Sequence, residues 1–244
     1  MASQSKLPQL TSSNLFVTEG GIETTLIYRN NLDLPSFSTL PLLNTEDGRQ
    51  TISSIYQEYV NIALAHSTGV VLETRTWRGS PLWSPEIGLS IPQILDLNRT
   101  AVKILHDIRN KTPSTSVVIS GALGPLQDAY QDSTGTVSFV DRLTENYTTY
   151  FGVNCAHPRY IIKAVRGMHT DVRSRIGSIR GNSSLKSHDE LDNSLVLDRG
   201  DISVWVREFN ELLNMLPGLK VVGGCCGTDE EHIDAIASRI NSVG

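Results

Sequence analysis

Three cysteines in a chain of 244 residues fall in two similar settings. Two are adjacent, in Val221-Val222-Gly223-Gly224-Cys225-Cys226-Gly227-Thr228, and the third lies in Val153-Asn154-Cys155-Ala156-His157-Pro158. In both places a short apolar run of strand composition ends in small residues and cysteine. Three thiolates converging from two strand ends suffice to hold a zinc ion with its fourth position open, which is the arrangement of a catalytic site. Taken alone, Cys155 reads more readily as a small buried hydrophobe than as a ligand. The vicinal pair is more telling. Neighbouring side chains on a regular strand point to opposite faces, so Cys225 and Cys226 reach one ion only if the backbone leaves strand geometry there. Gly223, Gly224 and Gly227 supply that freedom. An odd cysteine count and the absence of a secretory leader in Met1–Leu10 argue against a disulfide framework.

The elements that must position these residues alternate between strand and helix. Leu15–Thr18 reads as a strand ending in Glu19-Gly20-Gly21. Helical periodicity follows over Thr51–His66, with Ile52, Ile55, Tyr56, Tyr59, Val60 and Ala63 on one face. Gly69–Leu72 is a second strand, running out into Glu73-Thr74-Arg75-Thr76-Trp77, and Pro92–Asn110 a second helix. Ser116–Ile119 is a third strand, ending in Ser120-Gly121-Ala122-Leu123-Gly124-Pro125. The Cys155 strand, a strand over Arg175–Ile179, a helix over Ile202–Leu216 and the Cys225 strand complete the alternation. Thr228 and Glu231 have the spacing of a capping box for a last helix carrying Ile233, Ile236 and Ile240.

Near-continuous apolar strands separated by amphipathic helices require a parallel sheet covered by helices. Polar or glycine-rich residues close each strand, as on the active face of a TIM-type (β/α) barrel. Only six strands are countable, whereas a closed barrel of this type has eight. Between Pro125 and Tyr150 lie 24 residues, 126–149, with room for one short helix around Val137–Tyr147 and no further buried strand. The expected fold is therefore an α/β, incomplete barrel over residues 14–244, preceded by a flexible, polar segment over 1–13. The third strand is expected beside the Cys155 strand, since consecutive parallel strands usually neighbour each other.

A net charge of −5 and the lack of a basic patch exclude a nucleic-acid binder by composition, and the apolar runs are far too short to span a membrane. Cysteine chemistry of this kind suits a reducing, cytoplasmic setting.

The stretches Thr18-Glu19-Gly20-Gly21, Glu73-Thr74-Arg75-Thr76-Trp77, Gly121-Ala122-Leu123-Gly124-Pro125, Val153-Asn154-Cys155-Ala156-His157-Pro158 and Gly223-Gly224-Cys225-Cys226-Gly227 occur in this order. In that order they resemble the homocysteine S-methyltransferase family, from about Phe16 to Ile240. The Asn-Cys and Gly-Gly-Cys-Cys-Gly combination is the specific part. The resemblance implies a zinc-dependent enzyme that moves a methyl group to the thiol of homocysteine, giving methionine. It implies Cys155, Cys225 and Cys226 as zinc ligands, Asn154 lining the pocket, and Glu19 meeting the amino group of homocysteine. Gly20 and Gly21 match glycines that let backbone amides approach the substrate. The methyl donor is implied to be a sulfonium such as S-methylmethionine or S-adenosylmethionine. Trp77 either faces that cation through its ring or packs the rim of the barrel. Arg180-Gly181-Asn182-Ser183-Ser184 and Lys186-Ser187-His188 share the resemblance without an assignable role. His188 reads as solvated, and His157 as a loop-former before Pro158.

One departure from the family pattern is large. Members carry two more βα units between the Gly-Pro strand and the Asn-Cys strand, and in many of them this segment adds a carboxylate at the homocysteine site. Its loss implies a barrel that closes with altered stagger or stays open with two unpaired edges. A non-catalytic member that binds zinc or thiols without turnover is the alternative reading.

Overall fold

The computed structural model describes residues 7–122, 124, 149–186, 190, 191 and 194–241. The expected helix around Val137–Tyr147, and His188, lie outside them. The described residues form one sheet of six parallel strands: β1 (Phe16–Thr18), β2 (Gly69–Glu73), β3 (Val117–Ser120), β4 (Phe151–Ala156), β5 (Ile176–Gly181) and β6 (Val221–Gly224). Their spatial order is β3-β2-β1-β6-β5-β4. Six helices matter for the site: α1 (Ile22–Tyr28), α2 (Glu46–Ala65), α3 (Ile91–Lys111), α4 (Pro158–Arg166), α5 (Ile202–Met215) and α6 (Glu230–Asn241).

The helices form where the apolar periodicity places them, and their apolar stripes pack on the outer face of the sheet. On α2, Ile52, Ile55, Tyr56, Tyr59, Val60 and Ala63 are buried, and on α3 so are Ile94, Leu97, Ala101, Leu105 and Ile108. The helix expected from Thr51 begins earlier, at Glu46, because the Thr45 hydroxyl accepts the backbone N–H of Gly48 (3.1 Å) and caps it. Val17, Val70, Leu72, Ile179 and Val222 join the buried cluster between sheet and helices. A smaller cluster of Phe16, Val71 and Val221, with Val118 against it, faces the opposite way, into the barrel.

Residues of all six strands line one cavity of about 160 Å³: Thr18, Val71 and Glu73, Ser120, Gly152 and Asn154, Ser178 and Arg180, and Val221. A sheet whose two edge strands look into one cavity is curled, as in a barrel. It does not close. Contrary to the expected neighbouring of β3 and β4, no ladder joins them among the described residues, and they are the two edges of the sheet. The inward Gly152 and Asn154 of β4 are exposed, whereas the corresponding positions of β1 are buried. Here the chain returns at the far end of the order, where β4 pairs with β5.

Within the N-terminal stretch expected to fray, Pro8–Thr11 form a helical turn. The buried Gln9 donates its Nε2 to the Tyr150 hydroxyl at 3.1 Å, which ties this turn to the start of β4.

Candidate metal centre

The sulfur atoms of Cys155, Cys225 and Cys226 all lie within 4.8 Å of one another, and those of the vicinal pair are 4.0 Å apart. Two local breaks in strand geometry bring them together. In β4, Asn154 pairs with Arg180 and Ala156 with Gly181, so Cys155 is an extra residue without a register partner. This is a β-bulge, and Cys155 takes a left-handed φ of 58°. Regular alternation would send Asn154 and Cys155 to opposite faces; the bulge re-aims the cysteine. β6 ends at Gly224, so Cys225 and Cys226 sit in a turn, completed by Gly227 at φ 80°. A side chain at Gly227 would also lie 2.0 Å from the Ser183 hydroxyl.

Backbone hydrogen bonds hold the turn from both sides. Cys225 N–H donates to Gly181 O (2.9 Å), and Cys226 O accepts from Ser183 N–H (3.1 Å). The Thr228 hydroxyl donates to Cys225 O (2.7 Å), and Thr24 Oγ1 accepts from Gly227 N–H (3.2 Å). Thr228 therefore does not cap α6 as its spacing with Glu231 suggests. Asp229 precedes the helix and its carbonyl accepts the first helical N–H, from Ile233 (3.2 Å). Its carboxylate lies 2.8 Å from His232 Nδ1 and pairs with Arg199. Glu231 also turns to Arg199, at 2.6 Å.

Burial by itself pushes the Asp229 carboxyl up, but His232 and Arg199 hold it well below the usual carboxylate range. With the folded value depressed, the unfolded chain takes up the proton first. The stability from Asp229 is thus present above about pH 4 and is lost as pH falls. Asp229→Asn is expected to cost about 1–2 kcal/mol at pH 7. Urea unfolding across pH should show the gap from the parent narrowing below about pH 4.

The donor set fits zinc. Tetrahedral zinc with thiolates at about 2.3 Å separates its sulfurs by about 3.8 Å, close to the spacing found. Hydrogen bonding to Cys155 and then to Cys226 holds the Cys225 thiol well below its ordinary range, bonding to Cys225 pushes Cys155 up, and bonding to Cys155 and then Cys225 pushes Cys226 up. His157 is not a fourth ligand. It is buried at the start of α4, where its Nδ1 accepts the Arg159 N–H (3.2 Å). Among the described residues the cluster consists of the three cysteines.

The family model described as homocysteine S-methyltransferase matches residues 16–150 and 135–240. The chain belongs to the homocysteine S-methyltransferase family. Two solved structures share its fold, both of the homocysteine methyltransferase MmuM from Escherichia coli. The oxidized form superposes with a TM-score of 0.65 at 13% identity, covering 92% of this chain and 96% of that one. The metallated form gives 0.61 at 12% identity, covering 93% and 97%. No curated protein matches the sequence.

Beside the cysteines of this homocysteine S-methyltransferase family member lies a network of buried charges that no sequence spacing announces. Glu19 is fully enclosed, and its Oε1 accepts from Arg75 Nη2 and Arg180 Nη2, both at 2.8 Å. Its burial pushes the carboxyl up, with Arg180 and Arg75 pulling the other way. Arg75 also pairs with Glu23 (3.2 Å) and Glu73 (3.1 Å), and Arg180 with Glu73 (2.9 Å). Arg180 Nε donates to Gly224 O (3.3 Å), immediately before Cys225. Thr74 and Thr76 instead hold the end of β3, bonding Ala122 N–H (3.0 Å) and Ala122 O (2.8 Å).

Asn154 lines the cavity with Glu73 and Arg180, while Glu19, Gly20, Gly21 and Trp77 do not. The amide of Gly21 is engaged within the fold, its N–H donating to Thr228 O (2.9 Å). The positions of Gly20 and Gly21 are both closed to a side chain. A side chain on Gly21 would stand 2.6 Å from Cys225 O, and one on Gly20 2.9 Å from Thr228 O. They let the end of β1 lie against the cysteine turn. Trp77 carries the guanidinium of Arg78 over its ring at 4.1 Å, and Trp83 packs the same group at 3.5 Å.

Proposed function

We propose that this chain binds zinc through Cys155, Cys225 and Cys226 and transfers a methyl group from a sulfonium donor to the thiol of homocysteine, giving methionine. The observation that carries the reading is the convergence of three sulfurs within 4.8 Å at the strand ends of a family member's barrel. Bound zinc supplies a site at which the substrate thiol loses its proton at neutral pH, where a free thiol near pKa ~8.5 keeps it. The chain's residues do the rest. The bulge at Cys155 and the Gly227 turn aim the three sulfurs, Asn154 walls the cavity, and a carboxylate of the adjoining charged network meets the amino group of the amino acid. A sulfonium donor loses its positive charge in the transfer, so no base is required at the methyl carbon. A reducing, cytoplasmic setting suits three free thiols. No described helix is long and apolar enough to cross a membrane.

The open edge between β3 and β4 favours a second reading, in which zinc and thiols bind without turnover. One assay separates them. Zinc-loaded chain is incubated with homocysteine and either S-methylmethionine or S-adenosylmethionine, and methionine is quantified. Enzyme-dependent methionine supports transfer. Thiol binding without methionine formation supports the second reading.

A further inference from the structure

The charged network beside the cysteines does not balance. It holds three carboxylates, Glu19, Glu23 and Glu73, against two guanidiniums, Arg75 and Arg180. The carboxylates differ in access. Glu19 is enclosed, its Oε1 receives both arginines, and the backbone N–H of Glu73 approaches its two oxygens at 3.3 and 3.4 Å. Glu73 is 24% exposed and lines the cavity. Each of its oxygens faces a single guanidinium, Oε1 that of Arg75 and Oε2 that of Arg180. A carboxylate oxygen accepts two hydrogen bonds, so each oxygen of Glu73 has capacity for a further donor, and the residue lines the cavity.

The same Arg180 that pairs with Glu73 also donates to the carbonyl next to Cys225. One guanidinium thus links the accessible carboxylate to the strand end that carries Cys225. A ligand with a thiol and an ammonium group brings a positive charge to that carboxylate. Its positive charge also neutralises the excess carboxylate, which is costly to leave uncompensated in a largely buried network.

We infer that Glu73, and not Glu19, receives the ammonium group of the amino-acid thiol, with Glu19 a positioning residue that fixes the two arginines. The inference rests on the proposed function and assigns the substrate-recognising group within that same site.

The test compares binding of homocysteine and of 4-mercaptobutanoate, which has the same thiol and carboxylate without the amino group, to the zinc-loaded full chain by calorimetry. The parent is expected to prefer homocysteine by about tenfold or more, the worth of a charge-assisted hydrogen bond. Glu73→Gln should keep its zinc and its affinity for 4-mercaptobutanoate while the preference falls to within about threefold. If Glu73→Gln does not fold, Glu73→Asp keeps the charge on a shorter stem and should show an intermediate preference. A preference unchanged in the folded variant overturns the inference. Equal binding of both thiols by the parent also overturns it but leaves the thiol site intact. A parent that holds zinc and binds neither thiol overturns the proposed function, and this assignment with it.

Discussion

Cys225→Ala or Cys226→Ala is expected to weaken zinc binding by at least about a hundredfold and to abolish methyl transfer. Loss of a group that only supports a ligand costs 10–100-fold in many metal sites, so loss of one of three direct ligands exceeds that range. The turn that carries the pair is held by Gly181 O, Ser183 N–H and the Thr228 hydroxyl, none of which involves the sulfurs. The fold should therefore survive either substitution. Zinc per chain after dialysis against a weak chelator is the measurement, with far-ultraviolet circular dichroism as the control for folding. Full zinc occupancy in either single variant would show that the site is misassigned.

A comparably large effect is expected from restoring the strands. Inserting roughly 60 residues, the length of two βα units, between β3 and β4 should close the barrel and raise turnover by about a hundredfold. A displacement of about an ångström in a reacting group can alone cost that much. The metal centre is built from β4, β6 and the turn after β6, so zinc content per chain should be the same in both versions. What the insertion supplies is the wall opposite the cysteines and a covering for the exposed Gly152 and Asn154. Steady-state turnover and the denaturant midpoint of the two versions read the prediction. Equal turnover would show that the six-stranded barrel is catalytically complete.

Much of this molecule was legible from local pattern. The apolar stripe of α2, the short strands and the cysteines at their ends all follow from periods of two and 3.6 residues. The glycines around the vicinal pair announced a break in strand geometry, and the turn with Gly227 at φ 80° is that break. The spacing of Thr228 and Glu231 misled because the hydroxyl had a competing acceptor, Cys225 O, brought near by the turn itself. The neighbours of Gly20 and Gly21 come from α2 and from the cysteine turn some two hundred residues on, which no local pattern announces.

The sequence by itself determined the strand–helix alternation, the placing of all three cysteines at strand ends and the absence of room for two strands between β3 and β4. Each is written in residues close along the chain, where backbone periodicity, glycine freedom and segment length act directly. Only the tertiary structure decided which charges meet. Arg180 reaches Glu19 across 161 positions in the chain and Arg75 reaches it across 56. It also decided that the sheet curls without joining its edges, and that Arg78 lies on Trp77. Such pairings depend on where the sheet's curvature delivers side chains from separate strands, and a long-range ion pair leaves no periodic trace in the residues around either partner. The enclosure that makes Glu19 inaccessible and leaves Glu73 open to the cavity arises only once β1, β2 and β5 stand together around one space.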